Sequence, residues 1–206
     1  MLSMVFTAIF CAQAAWTYSS PPSGAITQCT LSHISTSRPC TYKTSRFISS
    51  TLAAGTYTGH TLISRSNIKI YGQISTADSY TGNTVTLTNS LSADDARSHD
   101  ASGAVRVHGS NIALYNLNIV NSLGEDQATA LSVQFSGYGL KIVGYQLVSG
   151  PLAATASSNF RRDTLLANVG YEFIATSYME GNTDFIFGQT ASLWITGSVI
   201  HTLGYG

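Results

Sequence analysis

An all-β solenoid of stacked parallel strands is the fold class that this 206-residue sequence predicts, and three observations carry the prediction. Helical periodicity is nearly absent, and short runs of β-branched and aromatic residues alternate with polar ones between Gly, Asn and Ser. "NIKIYG" (67–72), "NIALYN" (111–116) and "GLKIVG" (139–144) read as variants of one unit, with an apolar pair facing inward and a turn residue at each end. "YEFIATSYMEG" and "SLWITGSVIHT" align on a shift of 21 residues, Tyr171 over Ser192. A repeat of about 20–30 residues is a solenoid signature, in which residues one repeat apart become spatial neighbours. A β-sandwich is the competing reading.

In chain order, the opening "MLSMVFTAIFCAQAAW" reads as a secretory signal: an apolar stretch from Met4 to Cys11, then the small-residue site "AQA" and Ala15. Its apolar run is too short to span a bilayer. Residues 1–15 are thus expected as a signal peptide and 16–206 as one β-helix domain of a secreted, extracellular protein. Cys11 leaves with the signal, and Cys29 and Cys40 remain, either bridged or free. Residues 27–52 are Ser/Thr-rich and break the strand rhythm. The expected strand segments are 67–72, 83–89, 104–109, 111–121, 130–135, 140–148, 171–181 and 192–200. A second irregular stretch, "GPLAATASSNFRR" (150–162), is wedged between two of them and reads as an exposed loop.

Composition narrows the function classes. Charged residues make up 10% of the chain, against roughly 25% in an average globular protein. Lys+Arg and Asp+Glu are both 10, so the net charge is zero. That argues against a nucleic-acid binder, which would normally show a basic face. The five histidines, His33, His60, His99, His108 and His201, follow no zinc-ligand spacing, and there is no C-x-x-C. A G-x-S-x-G nucleophile elbow and a phosphate-binding glycine loop are also missing.

Two carboxylates carry the chemical expectation. Asp184 heads the apolar run of "NTDFIFGQ" (182–189), and Asp163 of "RRDTLLANVG" precedes it by 21 residues, the same offset as the strand repeat. On adjacent coils the two would face the same way. A close carboxylate pair does not readily ionise twice, so it can hold an acid and a base together. The structural alternative is that both aspartates only cap turns. Gln127 in "GEDQATALSV" is a neutral donor suited to a developing oxyanion. It lies 36 residues before Asp163, which fits one coil plus a loop of about a dozen residues. Arg161 and Arg162 flank Asp163, either as a carboxylate-binding pair or as solvated loop cations.

"SYMEGNTDFIFGQ" (177–189), "DTLLANVG" (163–170) and "QATAL" (127–131) together resemble the secreted fungal type of the pectin methylesterase (pectinesterase) family. "GTYTG", "NTVTLTNSLS" and "RVHGSNIALYNLNIVN" add weaker parallels, and the resemblance covers residues 15–26, 53–148 and 163–203. It implies a right-handed parallel β-helix that hydrolyses C6 methyl esters of homogalacturonan to pectate and methanol. No metal or cofactor, no nucleic acid or membrane, and a monomeric state are implied with it. The resemblance makes Asp184 the nucleophile, Asp163 the acid/base, Gln127 an oxyanion donor that also touches substrate, and Phe187 part of the substrate groove.

The departures are specific. The family writes "GYQDTL" or "GFQDTL" where this chain has "NFRRDTL", so Arg162 stands at an oxyanion-site Gln. "GPLAATASSNF" looks like an insertion, and Ala104 stands for a substrate-contacting Thr. The family's later "GRPW"-like segment is not in this sequence, which implies a β-helix incomplete at its C-terminal end. A catalytically impaired pectin-binding β-helix is therefore the second functional expectation, and a pectate lyase or glycosidase the third.

Overall fold

The computed structural model describes residues 48–74, 80–123, 127–134, 136–143, 146–149 and 163–203. The signal segment, Cys29 and Cys40, most of 27–52, and the whole of 150–162 with Arg161 and Arg162 lie outside the described residues.

Within them, the chain winds through three sheets in turn and returns to the first. The first coil holds β1 (Ile48–Leu52), β2 (Gly55–Thr58) and β3 (Thr61–Ile63). The second holds β4 (Ile68–Gly72), β5 (Val85–Asn89) and β6 (Val105–Val107), with α1 (Ala93–Ala96) and α2 (His99–Ser102) between the last two. The third holds β7 (Ile112–Tyr115), β8 (Asn118–Asn121) and β9 (Leu131–Val133). The fourth holds β10 (Ser136–Val143), β11 (Gln146–Ser149) and β12 (Leu165–Ala167). The fifth holds β13 (Val169–Ala175), β14 (Tyr178–Gly181) and β15 (Ile186–Phe187), and β16 (Thr190–Thr196) and β17 (Val199–Thr202) follow.

Sheet order follows this winding: β1-β4-β7-β10-β13-β16, then β2-β5-β8-β11-β14-β17, then β3-β6-β9-β12-β15. The pairs are parallel throughout, so the fold is a parallel β-helix. The three look-alike units pair as expected, with Ile68 opposite Ile112 and Ile112 opposite Leu140. Tyr171 stands opposite Ser192, the register given by the 21-residue shift.

Register is selected by columns of like side chains. Val105, Leu131 and Leu165 are mutually in register in the third sheet and essentially solvent-free. Leu87, Ile119 and Met179 occupy one inward column of the second. Each such side chain contributes roughly 1.5–3 kcal/mol on burial, and a one-residue slip would turn the column outward.

Four of the expected strand segments are in fact two strands joined by a corner. "NIALYNLNIVN" divides into β7 and β8, "LKIVGYQLV" into β10 and β11, "YEFIATSYMEG" into β13 and β14, and "SLWITGSVI" into β16 and β17. The chain bends from the first sheet to the second through a left-handed residue: Asn116 (φ 56°), Thr176 (φ 51°) and Gly197 (φ 56°). Asn and Gly accept this conformation readily, whereas a β-branched Thr does so at a cost. Alternation alone did not reveal the corners, because apolar residues resume on the far side without a break.

At the β16–β17 end the inward-facing Leu193 and Ile195 are only partly buried, and Ile200, in register with buried Met179, is 49% exposed. Among the described residues no helix is long and apolar enough to cross a membrane.

One interior position is not apolar. Glu172 of β13 is 3% exposed, on the same side of its strand as fully buried Ile174, and neither carboxyl oxygen has a hydrogen-bond partner among the described residues. Burial pushes its pKa up to about 8. A carboxyl whose folded pKa exceeds its unfolded value binds protons more tightly when folded. Its stabilising contribution is therefore complete below about pH 4.5 and lost as pH rises towards 8. We predict that Glu172→Gln removes this loss, so that denaturation midpoints of wild type and variant diverge between pH 5 and pH 8. The expected gap near pH 7 is on the order of 3 kcal/mol.

Candidate active site

The candidate residues come from one recurring feature, the connection from the second sheet to the third. Between β2 and β3 it is only Gly59 and His60, but it lengthens in later coils to 90–104, 122–130 and 150–164 before returning to 182–185. The β11–β12 connection is thus 11 residues longer than the β14–β15 one (150–164 against 182–185), the length of the expected insertion "GPLAATASSNF". Gln127 belongs to the second of these long connections, Asp163 to the third, and Asp184 to the short 182–185 connection that follows.

Main-chain hydrogen bonds stitch the connections to one another. Val105 N donates to Ala130 O (3.1 Å), Leu131 N to Thr164 O (3.0 Å) and Leu165 N to Phe185 O (2.7 Å). Ala93 N donates to Gln127 O (2.6 Å), joining α1 to the Gln127 turn. Beneath them lie two buried amides in register, Asn89 and Asn121, at the ends of β5 and β8. Asn121 Nδ2 donates to the carbonyls of Leu91, Ser102 and Thr129, and Asn89 Nδ2 to that of Ser102. A buried carbonyl left unpaired costs about 1–3 kcal/mol, so these amides make the wide turns compatible with a dry core.

The two aspartates occupy equivalent places. Leu165 pairs with Ile186, and Asp163 and Asp184 each lie two residues ahead of that pair. Both have left-handed backbone, φ 66° for Asp163 and 53° for Asp184. Stacked coils lie about 4.8 Å apart, so the pair shares one edge of the solenoid in successive layers. Their surroundings differ: the Asp163 side chain is 5% exposed, whereas Asp184 is open to solvent.

The glycines that bracket "NTDFIF" are fixed by close approaches. A Cβ on Gly181 would lie 2.2 Å from Phe185 Cβ, and one on Gly188 would lie 1.6 Å from Ala167 O. No larger residue fits either position without displacing the turn.

Gln127 is half-buried and belongs to the same stack of turns, but Thr129, not Gln127, stands at the register position of Asp163. Phe187 closes β15 and, with Ala167, Ile186, Gln189, Ala191 and Leu193, lines a hollow of about 220 Å³. Its ring meets that of His99 edge-on, with centroids 5.4 Å apart at 74°. His99 Nδ1 lies 3.4 Å from Asp163 Oδ2. His99 was counted above only as a histidine outside any zinc spacing, and its place at the site is new.

No family model matches the chain. It is 33% identical over 160 residues to a probable pectinesterase A of Neosartorya fischeri, spanning 75% of this chain and 44% of that protein. A pectinesterase of Aspergillus aculeatus is 40% identical over 131 residues, 61% of this chain and 35% of its own length. The pectin methylesterase structure from Aspergillus niger superposes with a TM-score of 0.67 at 29% identity, covering 77% of this chain and 49% of that one. The chain is a relative of the fungal pectinesterases. It spans less than half the length of these curated pectinesterases.

Against the pectinesterase motifs, the structure gives one departure a physical meaning. Ala104, at the expected Thr, is fully buried, so its methyl group faces the core and not the surface. Sequence reasoning missed α1 and α2, the second of which carries His99. Each is four residues long, too short for a helical period. The available signal was a pair of serine caps: Ser92 accepts from Asp95 N at 3.0 Å and Ser98 from Ala101 N at 3.3 Å.

Helix α2 is pinned to the third sheet through Asp100. Its carboxylate accepts hydrogen bonds from Arg106 Nε (3.0 Å) and Nη2, from Ser132 Oγ (2.7 Å) and from His108 Nε2 (3.1 Å). Burial alone would raise the Asp100 pKa, but the hydrogen bonds from Arg106, Ser132 and His108 outweigh it and hold the pKa below its ordinary value. This contribution is present above the ordinary carboxylate range and lost as pH falls through the depressed folded value. Asp100→Asn is expected to destabilise the fold by about 2–4 kcal/mol at pH 7, and by progressively less under acid, as read from urea unfolding midpoints.

Proposed function

We propose that this chain is a pectinesterase that hydrolyses the C6 methyl esters of homogalacturonan, giving pectate and methanol, and that it acts outside the cell. The observation that carries the reading is the paired placement of Asp163 and Asp184, in equivalent left-handed positions of adjacent coils with opposite exposure. A shielded carboxyl suits a group that must hold a proton, and an open carboxylate suits one that must reach a polymer.

In this mechanism Asp184 attacks the ester carbonyl and forms a tetrahedral oxyanion, to which Gln127 donates a hydrogen bond. Collapse expels the methoxy group, which leaves as methanol with the proton of Asp163, and an acyl-enzyme anhydride remains on Asp184. Asp163, now ionised, takes a proton from water as that water attacks the acyl carbon. The acid product and free Asp184 are released. Phe187 supplies an apolar wall for a sugar ring.

Arg162 weighs on the rate, because a family oxyanion donor is replaced there. Losing one such donor costs about 10²–10³ in rate. The second reading, a pectin-binding β-helix without turnover, is favoured by that replacement. Methanol release from highly methylated pectin separates the two. The esterase reading predicts release by the chain, a fall of about 10⁴-fold in Asp184→Asn, and a rise of about 10²-fold in Arg162→Gln. Pectin binding with no methanol from either the chain or Arg162→Gln would establish the second reading, and full activity in Asp184→Asn would remove Asp184 as the nucleophile.

A further inference from the structure

We infer that the outward face of the first sheet is a second, non-catalytic binding surface for de-esterified homogalacturonan, an anionic uronate polymer. The inference rests on the reading that this chain acts on that polymer. Side chains alternate along a strand, so Val169, Tyr171 and Phe173 of β13 lie on the face opposite buried Glu172 and Ile174. Trp194 of β16 shares that face. Tyr171 is 60% exposed and Trp194 67%. Phe173 stands opposite Trp194, and Tyr171 stands opposite the small Ser192, which leaves room beside the tyrosine ring. The exposure of Tyr171 is no edge effect, because β13 is paired on both sides, to β10 and to β16.

The occupant follows from the charges on this sheet. Phe173 and Trp194 end a register column that runs Lys69, Ala113, Lys141, Phe173, Trp194 through five successive strands. The six strands hold two lysines, Lys69 and Lys141, and both fall in that column. They hold one acidic residue, Glu172, and it faces inward. A uronate chain matches both features. The C–H face of a pyranose ring packs on an aromatic side chain, and its carboxylate pairs with a lysine ammonium. A methyl-esterified ring lacks that charge, so the surface favours the product of the reaction over its substrate.

The second sheet provides a contrast. In its first two coils the outward positions are Thr56, Thr58, Thr86 and Thr88, an ordinary solvated face. On the first sheet, by comparison, exposed Val169, Tyr171 and Trp194 gather on two neighbouring strands. A contiguous exposed apolar patch of this kind marks a binding surface. At the far end of the same face the rings of Tyr71 and Tyr115 stack with centroids 4.6 Å apart and planes 5° from parallel. The patch lies around a corner from Phe187, with Gly188 and Gln189 between the strands β15 and β16. It therefore adds grip on the polymer without touching the reacting ester.

The test measures binding of polygalacturonate, which carries no ester to turn over, by affinity electrophoresis of the full chain and of variants whose folding is verified by circular dichroism. Tyr171→Ala combined with Trp194→Ala is expected to weaken binding about tenfold or more. Methanol release from a short methyl-esterified oligogalacturonate should stay within about twofold of wild type in the same variant. Lys69→Gln combined with Lys141→Gln should weaken binding and flatten its dependence on NaCl. Wild-type affinity in the aromatic variant, with loss in Phe187→Ala, would place polymer binding in the groove and overturn the inference. A changed sedimentation coefficient in the aromatic variant, with polymer affinity unchanged, would assign the face to a second copy of the chain and also overturn it. The two readings fail separately. Polygalacturonate binding that the aromatic variant loses, without methanol release by wild type, sinks the esterase reading alone. Methanol release with full-strength binding by that variant sinks this inference alone.

Discussion

The register of the turns between the second and third sheets governs everything else at this site. A parallel β-helix repeats its backbone once per coil, and its ladders end where strands end. Here the ladder does not stop there. The bonds from Leu131 N to Thr164 O and from Leu165 N to Phe185 O carry the third sheet back into the turns. They fix Asp163 and Asp184 as equivalent residues of neighbouring layers. Asn89 and Asn121 do the same from below by capping turn carbonyls that the core would otherwise leave unpaired. Inward columns such as Val105, Leu131 and Leu165 make any other register costly.

Given that register, the proposed chemistry depends on asymmetry between two identical side chains. The α2 segment leans over the Asp163 layer, bringing His99 against it, while the next layer carries only the short 182–185 turn and leaves Asp184 open. A solenoid can therefore give two aspartates different roles by lengthening the turn of one coil and not the next. Strain accompanies this arrangement. Both aspartates sit in the left-handed region, which non-glycine residues enter at a cost and which recurs at functional sites.

Much of this was legible in the sequence, for a physical reason. Repetition is what a solenoid leaves in a chain, so the 21-residue shift of Tyr171 onto Ser192 and of Asp163 onto Asp184 translates directly into pairing. Corners were not legible, because Asn116 and Thr176 interrupt neither the apolar pattern nor the polar spacing. The strands β12 and β15 were also missed, at three and two residues too short for alternation to register. His99 was out of reach because its partner lies two coil connections away, and only the stacking of turns brings α2 over Asp163. The Asp100 cluster is similar: Arg106 and Ser132 meet on it because they are in register between β6 and β9.

The most direct test of the stacked-carboxylate account is to trap the covalent intermediate. The chain would be mixed with methyl-esterified oligogalacturonate, quenched with hydroxylamine, and mapped by peptide mass spectrometry. An aspartyl hydroxamate at Asp184 in the wild-type chain is the predicted result, with less of it in Asp163→Asn, which lacks the proton for the departing methoxy group. A hydroxamate at Asp163, or methanol release with no modified aspartate in either protein, would contradict the account.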